Sequence, residues 1–147
     1  MLLSLVFPAC GQEGANGLPA AVPIELTQIV RPATPNVFLA APAGFTPVPD
    51  VVSDIKGEPD QLYAIVRRVI LAQPRVFAHG EFADRRQLHV VARSASANFP
   101  DLIMASVTPE GRLVLWSRSV YGRKDFGANA ARVSEWMAAI ARAAAAP

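Results

Sequence analysis

Proline is distributed unevenly along the chain, and no other sequence feature constrains the fold as strongly. Eight of the thirteen prolines lie in residues 1–57. Proline fixes one backbone dihedral and has no N–H, so a segment this rich in it forms no long helix and gives a sheet few hydrogen bonds. We therefore expect residues 1–57 to be mainly extended or irregular, and residues 58–147 to supply the regular core.

Two stretches of the proline-rich part give more specific predictions. Residues 25–30 are compatible with a short strand, which the prolines that follow would end. Residues 36–57 carry single apolar residues between prolines and glycines, a pattern typical of coil that lies across a surface.

Composition limits the class of protein. A length of 147 residues suits one domain, and 52% hydrophobic against 18% charged residues excludes a disordered chain. The net charge of +2 and arginines without interleaved surface aromatics argue against a nucleic-acid partner. No apolar run approaches the roughly 18 residues that span a bilayer.

The N-terminus resembles a bacterial lipoprotein signal. An apolar stretch from Met1 ends in Ala9 followed by Cys10, the single cysteine, which in such signals is lipidated and becomes the mature N-terminus. The alternative is an uncleaved apolar N-terminus. Residues 11–24 have no periodicity and are predicted to be a flexible tether. We expect a globular domain over 25–147 in the cell envelope or periplasm, with Cys10 as the candidate membrane anchor. A cytoplasmic location is the alternative.

Periodicity after residue 57 predicts a helix, four strands and a second helix. The predicted helices cover 60–73 and 129–145, and the predicted strands cover 75–82, 87–94, 102–108 and 112–120. Short polar or glycine-containing links at 83–86 and 109–111 favour antiparallel hairpins. Asn129 is a candidate N-cap, and Trp136 is predicted to anchor the core. The predicted fold is α+β, a four-stranded antiparallel sheet with both helices on one face.

The densest polar group surrounds the start of the last helix. Arg118 shares a strand face with Val114, Trp116 and Val120, and a buried arginine needs a carboxylate or several carbonyls. Helix amides and guanidinium groups converging at this turn would favour an anion. The predicted anion-binding residues are Asp101, Arg118, Asp125, Asn129 and Arg132. The competing interpretation is a purely structural polar cluster that fixes the turn.

The run Trp-Ser-Arg-Ser-Val-Tyr-Gly-Arg-Lys-Asp-Phe-Gly-Ala-Asn-Ala-Ala-Arg, residues 116–132, resembles the C-terminal signature of the family of domain of unknown function 1499. Pro35-Asn36-Val37 and Phe99-Pro100-Asp101 resemble two further pieces of that family, and the resemblance covers about residues 31–142. Val37 stands where the family often has a cysteine, and Pro100 where it commonly has a second acid. The resemblance implies a shared fold and a secreted or membrane-associated setting, and it carries no established activity.

The sequence gives less support to a metal site, a cofactor site or a catalytic site than to an anion-binding site. His79 and His89 lack metal-site spacing, so we expect no metal, and no phosphate-binding or other cofactor motif is present. A hydrolase using His89 with Asp101 or Asp125 is one alternative function, and a structural or assembly module is another. The preferred interpretation is a non-enzymatic domain that binds an anionic or lipid-like small ligand or a protein partner.

Overall fold

A single six-stranded sheet with two helices organises the molecule. The computed structural model describes residues 7–33, 36–121 and 127–146 of the chain. The strands are β1 (Val37–Ala41), β2 (Val51–Val52), β3 (Val76–Phe82), β4 (Gln87–Arg93), β5 (Pro100–Val107) and β6 (Leu113–Ser119), and the helices are α1 (Pro59–Leu71) and α2 (Ala128–Ala145). The order across the sheet is β2-β1-β6-β5-β4-β3.

The α+β class is confirmed, but the predicted number of strands is wrong. The proline-rich part adds β1, antiparallel to β6, and β2, parallel to β1. Residues 37–41 form a continuous apolar run, which is the sequence pattern typical of a strand buried on both faces. The prolines on either side of β1 therefore delimit a strand instead of marking coil.

Residues 25–30 do not form the predicted strand. They contain a 3₁₀ turn, Leu26–Gln28. Just before it, the Gln87 side chain accepts a hydrogen bond from the Ile24 amide at 2.7 Å and donates one to the Ile24 carbonyl at 2.8 Å. A glutamine side chain thus occupies the backbone positions that a neighbouring strand would use.

Both predicted hairpins are present. Residues 83–86 join β3 to β4, and residues 108–112 join β5 to β6. Gly111 has a φ of +77°, and a Cβ there would overlap the carbonyl oxygen of Gly57. Only glycine suits this position, since it tolerates both the dihedral and the close approach.

Both helices pack on one face of the sheet, as predicted. The Glu58 carboxylate caps α1 by accepting from the Asp60 and Gln61 amides. Buried side chains from both helices join one face of the sheet in a single apolar cluster, and Trp136, only 4% exposed, belongs to it. None of the helices within the described residues is both long and apolar enough to cross a membrane.

The N-terminal segment, residues 7–33, covers the opposite face of the sheet. The Arg93 guanidinium donates to the carbonyls of Ala9, Gly14 and Asn16, and the Asn98 amide donates to those of Cys10 and Gln12. Residues 11–24, predicted to be a tether, therefore lie bound along the sheet. A second apolar cluster lies under this segment and includes Trp116.

Candidate functional site

Strand alternation decides which predicted site residues can meet. Asp101 of β5 is paired with Ser119 of β6, and Ile103 with Ser117. Ile103 belongs to the apolar cluster of the two helices, so Asp101, Ser117 and Ser119 lie on the helix face. Arg118, between the two serines, lies on the face covered by the N-terminal segment.

Arg132, on the first turns of α2, is the centre of a polar group on the helix face. One terminal nitrogen, Nη1, donates to Ser117 Oγ at 3.2 Å and to Asn129 Oδ1 at 2.9 Å. The other, Nη2, forms an ion pair with Asp101 Oδ2 at 2.9 Å. These three bonds use three of the five N–H groups of the guanidinium, counted over residues 7–33, 36–121 and 127–146.

Asn129 is fully buried and does not cap the helix, so that prediction is wrong. Gly127, with a φ of +80°, occupies the N-cap position. The Asn129 carboxamide instead accepts from Ser117 Oγ and Arg132, and donates to the Asn36 carbonyl at 2.9 Å and to Ser119 Oγ at 3.0 Å. It joins β1, β6 and α2. We call Asn36, Asp101, Ser117, Ser119, Asn129 and Arg132 the Arg132 cluster.

Comparison with known proteins identifies the family of the chain. A family model described as "Protein of unknown function (DUF1499)" matches residues 30–140. The chain belongs to the DUF1499 family. No curated protein and no solved structure matches the chain.

The three sequence pieces that resemble the DUF1499 family meet in the Arg132 cluster. Asn36 comes from the first piece, Asp101 from the second, and Ser117, Asn129 and Arg132 from the third. The Asn36 and Asn129 residues are 93 positions apart in the chain. Asp125, the remaining predicted site residue, lies outside the described residues.

A cleft of about 290 Å³ opens beside Arg132. Its lining includes Arg75, Arg93, Ala131, Arg132, Glu135 and Trp136. Arg75 was not among the predicted site residues. Its guanidinium donates to the Arg93 and Ser94 carbonyls and to Asn98 Oδ1, all uncharged acceptors. The positive charge of Arg75 is therefore not neutralised by these partners.

Arg118 does not join this group, and Asp101 is not its partner, since the two lie on opposite faces of the sheet. Its cross-strand neighbours are Val37 and Leu102. The Nε of Arg118 is buried and has no hydrogen-bond partner among residues 7–33, 36–121 and 127–146. Burial lowers the pKa of Arg118.

His89 lies on the same face as Arg118 and is 5% exposed. Its Nε2 lies 2.7 Å from Gln87 Oε1. Burial, followed by the charges of Arg118 and His79, lowers the pKa of His89 to about 4. The imidazole is therefore neutral at pH 7. It cannot pair with Asp101 across the sheet, so that version of the hydrolase hypothesis is not supported, and the version with Asp125 involves a residue outside the described part of the chain.

Cys10, the predicted lipidation site, is buried at 7% exposure. Burial raises the pKa of the thiol, which keeps it protonated. Ala9 is anchored by its amide, which donates to the Tyr121 hydroxyl, and Phe7 packs against Tyr121 and Phe99. Lipidation of Cys10 stays a prediction, and acylation of this sulfur would require the segment to leave its present position.

Proposed function

We propose that this DUF1499 protein is a non-enzymatic binding domain that takes a small anion, a carboxylate or a phosphate, in the cleft beside Arg132. The observation that carries the proposal is the convergence of three distant, family-like sequence pieces in the Arg132 cluster, whose central residue, Arg132, also lines the cleft. A cluster that only tied the helix to the sheet would not need to border an opening.

The charges around the cleft support an anionic ligand. Its lining includes Arg75, Arg93 and Arg132 against one acid, Glu135, and of these the Arg93 guanidinium lies on the face covered by the N-terminal segment. Asp101 neutralises Arg132, but within residues 7–33, 36–121 and 127–146 the hydrogen-bond partners of Arg75 and Arg93 are uncharged carbonyl and amide oxygens. The surroundings therefore keep a positive excess, which attracts anions over several ångströms.

The position of the cleft adds to this attraction. Ala128 and Ala131, on the first turn of α2, form part of its wall. The amino end of a helix carries a partial positive charge. Alanine side chains leave room for a ligand close to that end, beside Arg132, which also lines the cleft.

The environment of His89 favours binding over catalysis. A group that acts as a general base at neutral pH needs a pKa near 7 and a position next to its substrate. His89, with a pKa of about 4, lies on the face of the sheet opposite the Arg132 cluster.

The proposal includes the extracytoplasmic setting expected from the leader-like N-terminus, with Cys10 as the anchor. Metabolic labelling with a fatty-acid analogue tests it: the native chain should be tagged, and the Cys10→Ser variant should not. An untagged native chain would remove the anchor from the proposal and leave the anion site unaffected.

Titration with inorganic phosphate and with acetate at constant ionic strength tests the anion site. We expect amide signals of Ala128–Arg132 to shift in ¹H–¹⁵N spectra of the native protein. Ala131→Glu places a carboxylate in the cleft without altering a bond of the Arg132 cluster, and should weaken binding by about tenfold. Ala141→Glu, an exposed change on the same helix, is the matched control. Equal shifts in both variants, or none in the native protein, would refute the proposed site and leave the structural interpretation.

A further inference from the structure

A second cavity, of about 700 Å³, lies at the other end of the sheet from the Arg132 cluster. Three segments form it: the 3₁₀ turn at Leu26–Gln28, the loop 42–46 that leaves β1, and the hairpin 108–112 between β5 and β6. The length of β6 separates it from Ser119 by about 20 Å. It is therefore independent of the anion-binding cleft.

Most of the cavity wall is apolar. Leu26, Pro42, Ala43, Phe45 and Pro109 contribute to it. Leu26 and Phe45 also pack against the second apolar cluster of the protein, so the floor of the cavity is continuous with a core. An apolar group entering here would leave water for a surface of the same kind as the protein interior.

Arg112 supplies a charged group to this apolar wall. Its side chain makes one long hydrogen bond, from Nη2 to the Ser53 carbonyl at 3.4 Å. Its Nε is buried and has no hydrogen-bond partner within the described part of the chain. A guanidinium has five N–H groups and keeps its charge at any physiological pH, so Arg112 has unused donors and a charge that no carboxylate of residues 7–33, 36–121 and 127–146 pairs with.

Hydroxyl groups complete the lining. Thr108 Oγ1 accepts from the Arg112 amide at 3.1 Å, which leaves its own O–H free to donate. Thr27 and Thr46 line the same space, and Glu110 is exposed. Apolar walls with a few convergent polar groups at one side are typical of sites for small organic ligands, and a volume of 700 Å³ lies in their usual range.

We propose that this cavity binds an amphipathic carboxylate, with the apolar body against Leu26 and Phe45 and the carboxylate at Arg112. Guanidinium and carboxylate match in geometry as well as in charge. A neighbouring cavity of about 440 Å³ shares Leu26, Thr27 and Pro109 with the first. The apolar body of the ligand therefore has room to extend past these three residues into the neighbouring cavity.

Calorimetric titration of the full chain with decanoate and with 1-decanol tests the proposal, since the two probes share an apolar body and differ in charge. We expect the native protein to bind decanoate at least tenfold more tightly than decanol. Arg112→Gln should remove that preference. Arg85→Gln, a change at the neighbouring cavity in an arginine already paired with Glu25, should preserve it.

Ala43→Trp locates the binding, because Ala43 is exposed and lines the cavity. The added indole should abolish binding of both probes, whereas Ala141→Trp should not. Equal affinity of the native protein for decanoate and decanol, or unchanged decanoate binding in the Ala43→Trp variant, would overturn the proposal. If Arg112→Gln fails to fold, these two comparisons still decide it. Ala131→Glu should leave decanoate binding unchanged, so this site and the anion-binding cleft fail or survive separately.

Discussion

Arg132 Nη2 lies 2.9 Å from Asp101 Oδ2, and the two side chains retain only 15% and 12% of their exposed surface. A pair this sheltered is costly to break, because the remaining charge stays desolvated. The ion pair joins α2 to β5, at the point where the family-like pieces of the chain meet.

Removal of one member of this pair is therefore expected to destabilise the protein strongly. Arg132→Met and Asp101→Leu should each lower the free energy of unfolding by about 3–5 kcal/mol, and the double variant by less than the sum. Urea unfolding measures all three. The exposed Arg67–Glu81 pair serves as control, and Arg67→Met should have little effect. A loss below about 1 kcal/mol in Arg132→Met would show that the pair does not hold the helix to the sheet.

The opposite outcome is expected for Arg118. Its Nε is buried and has no hydrogen-bond partner in the described part of the chain, and its cross-strand neighbours are apolar, so we expect the charge to oppose folding. Arg118→Met keeps the apolar stem and removes the charge, and should raise the free energy of unfolding by about 1–2 kcal/mol. Arg68→Met, on the exposed side of α1, is the matched control. Lower stability of Arg118→Met than of the native protein would mean that the guanidinium makes a favourable interaction.

Much of the fold was predictable, since β3 to β6 and both helices follow from periodicity in a part of the chain with few prolines. β1 was not, because a strand buried on both faces lacks the alternation that marks a half-buried strand. The prolines that flank it strengthened the wrong interpretation.

The candidate site was predictable in composition but not in arrangement. Alternation along β6 already separates Arg118 from Ser117 and Ser119, but the sequence does not show which face the helices cover. Asn129 has the residue type of an N-cap, and the helix begins one residue earlier, with Gly127 as the cap. The role of Asn36 depends on its backbone carbonyl, which no side-chain pattern reveals.

His89 makes stability depend on pH over a range that begins above that in which carboxylates titrate. The pKa of His89 is about 4 in the folded protein and about 6.5 in the unfolded chain. Between these values the unfolded state binds more protons, so stability falls as pH decreases from 6.5 to 4, by about 3 kcal/mol in all. Glu81, whose pKa is lowered by hydrogen bonds from Tyr63 and Arg67, adds its loss only at lower pH.

Urea unfolding from pH 7 to pH 4 measures this dependence. His89→Gln should flatten the profile between pH 6.5 and 4. His79→Gln removes only the smallest of the three causes that lower the pKa of His89, so most of the dependence should remain. In Arg118→Met the pKa of His89 should rise, because one of the charges that lower it is removed. It should stay below 6.5, because burial is the largest cause of the lowered pKa. An unchanged slope in His89→Gln would contradict the assignment to this imidazole.

The attachment of the N-terminal segment predicts the reactivity of Cys10. The thiol is buried, and its raised pKa leaves little thiolate, so alkylation by iodoacetamide should be slow in the native protein. Arg93 holds the segment through the carbonyls of Ala9, Gly14 and Asn16. Arg93→Met removes these bonds and should speed alkylation of Cys10 by at least tenfold. Mass spectrometry of the alkylated protein over time measures the rate. Arg68→Met, remote from the segment, should react like the native protein. Equal rates in all three proteins would show that Arg93 is not what keeps Cys10 covered.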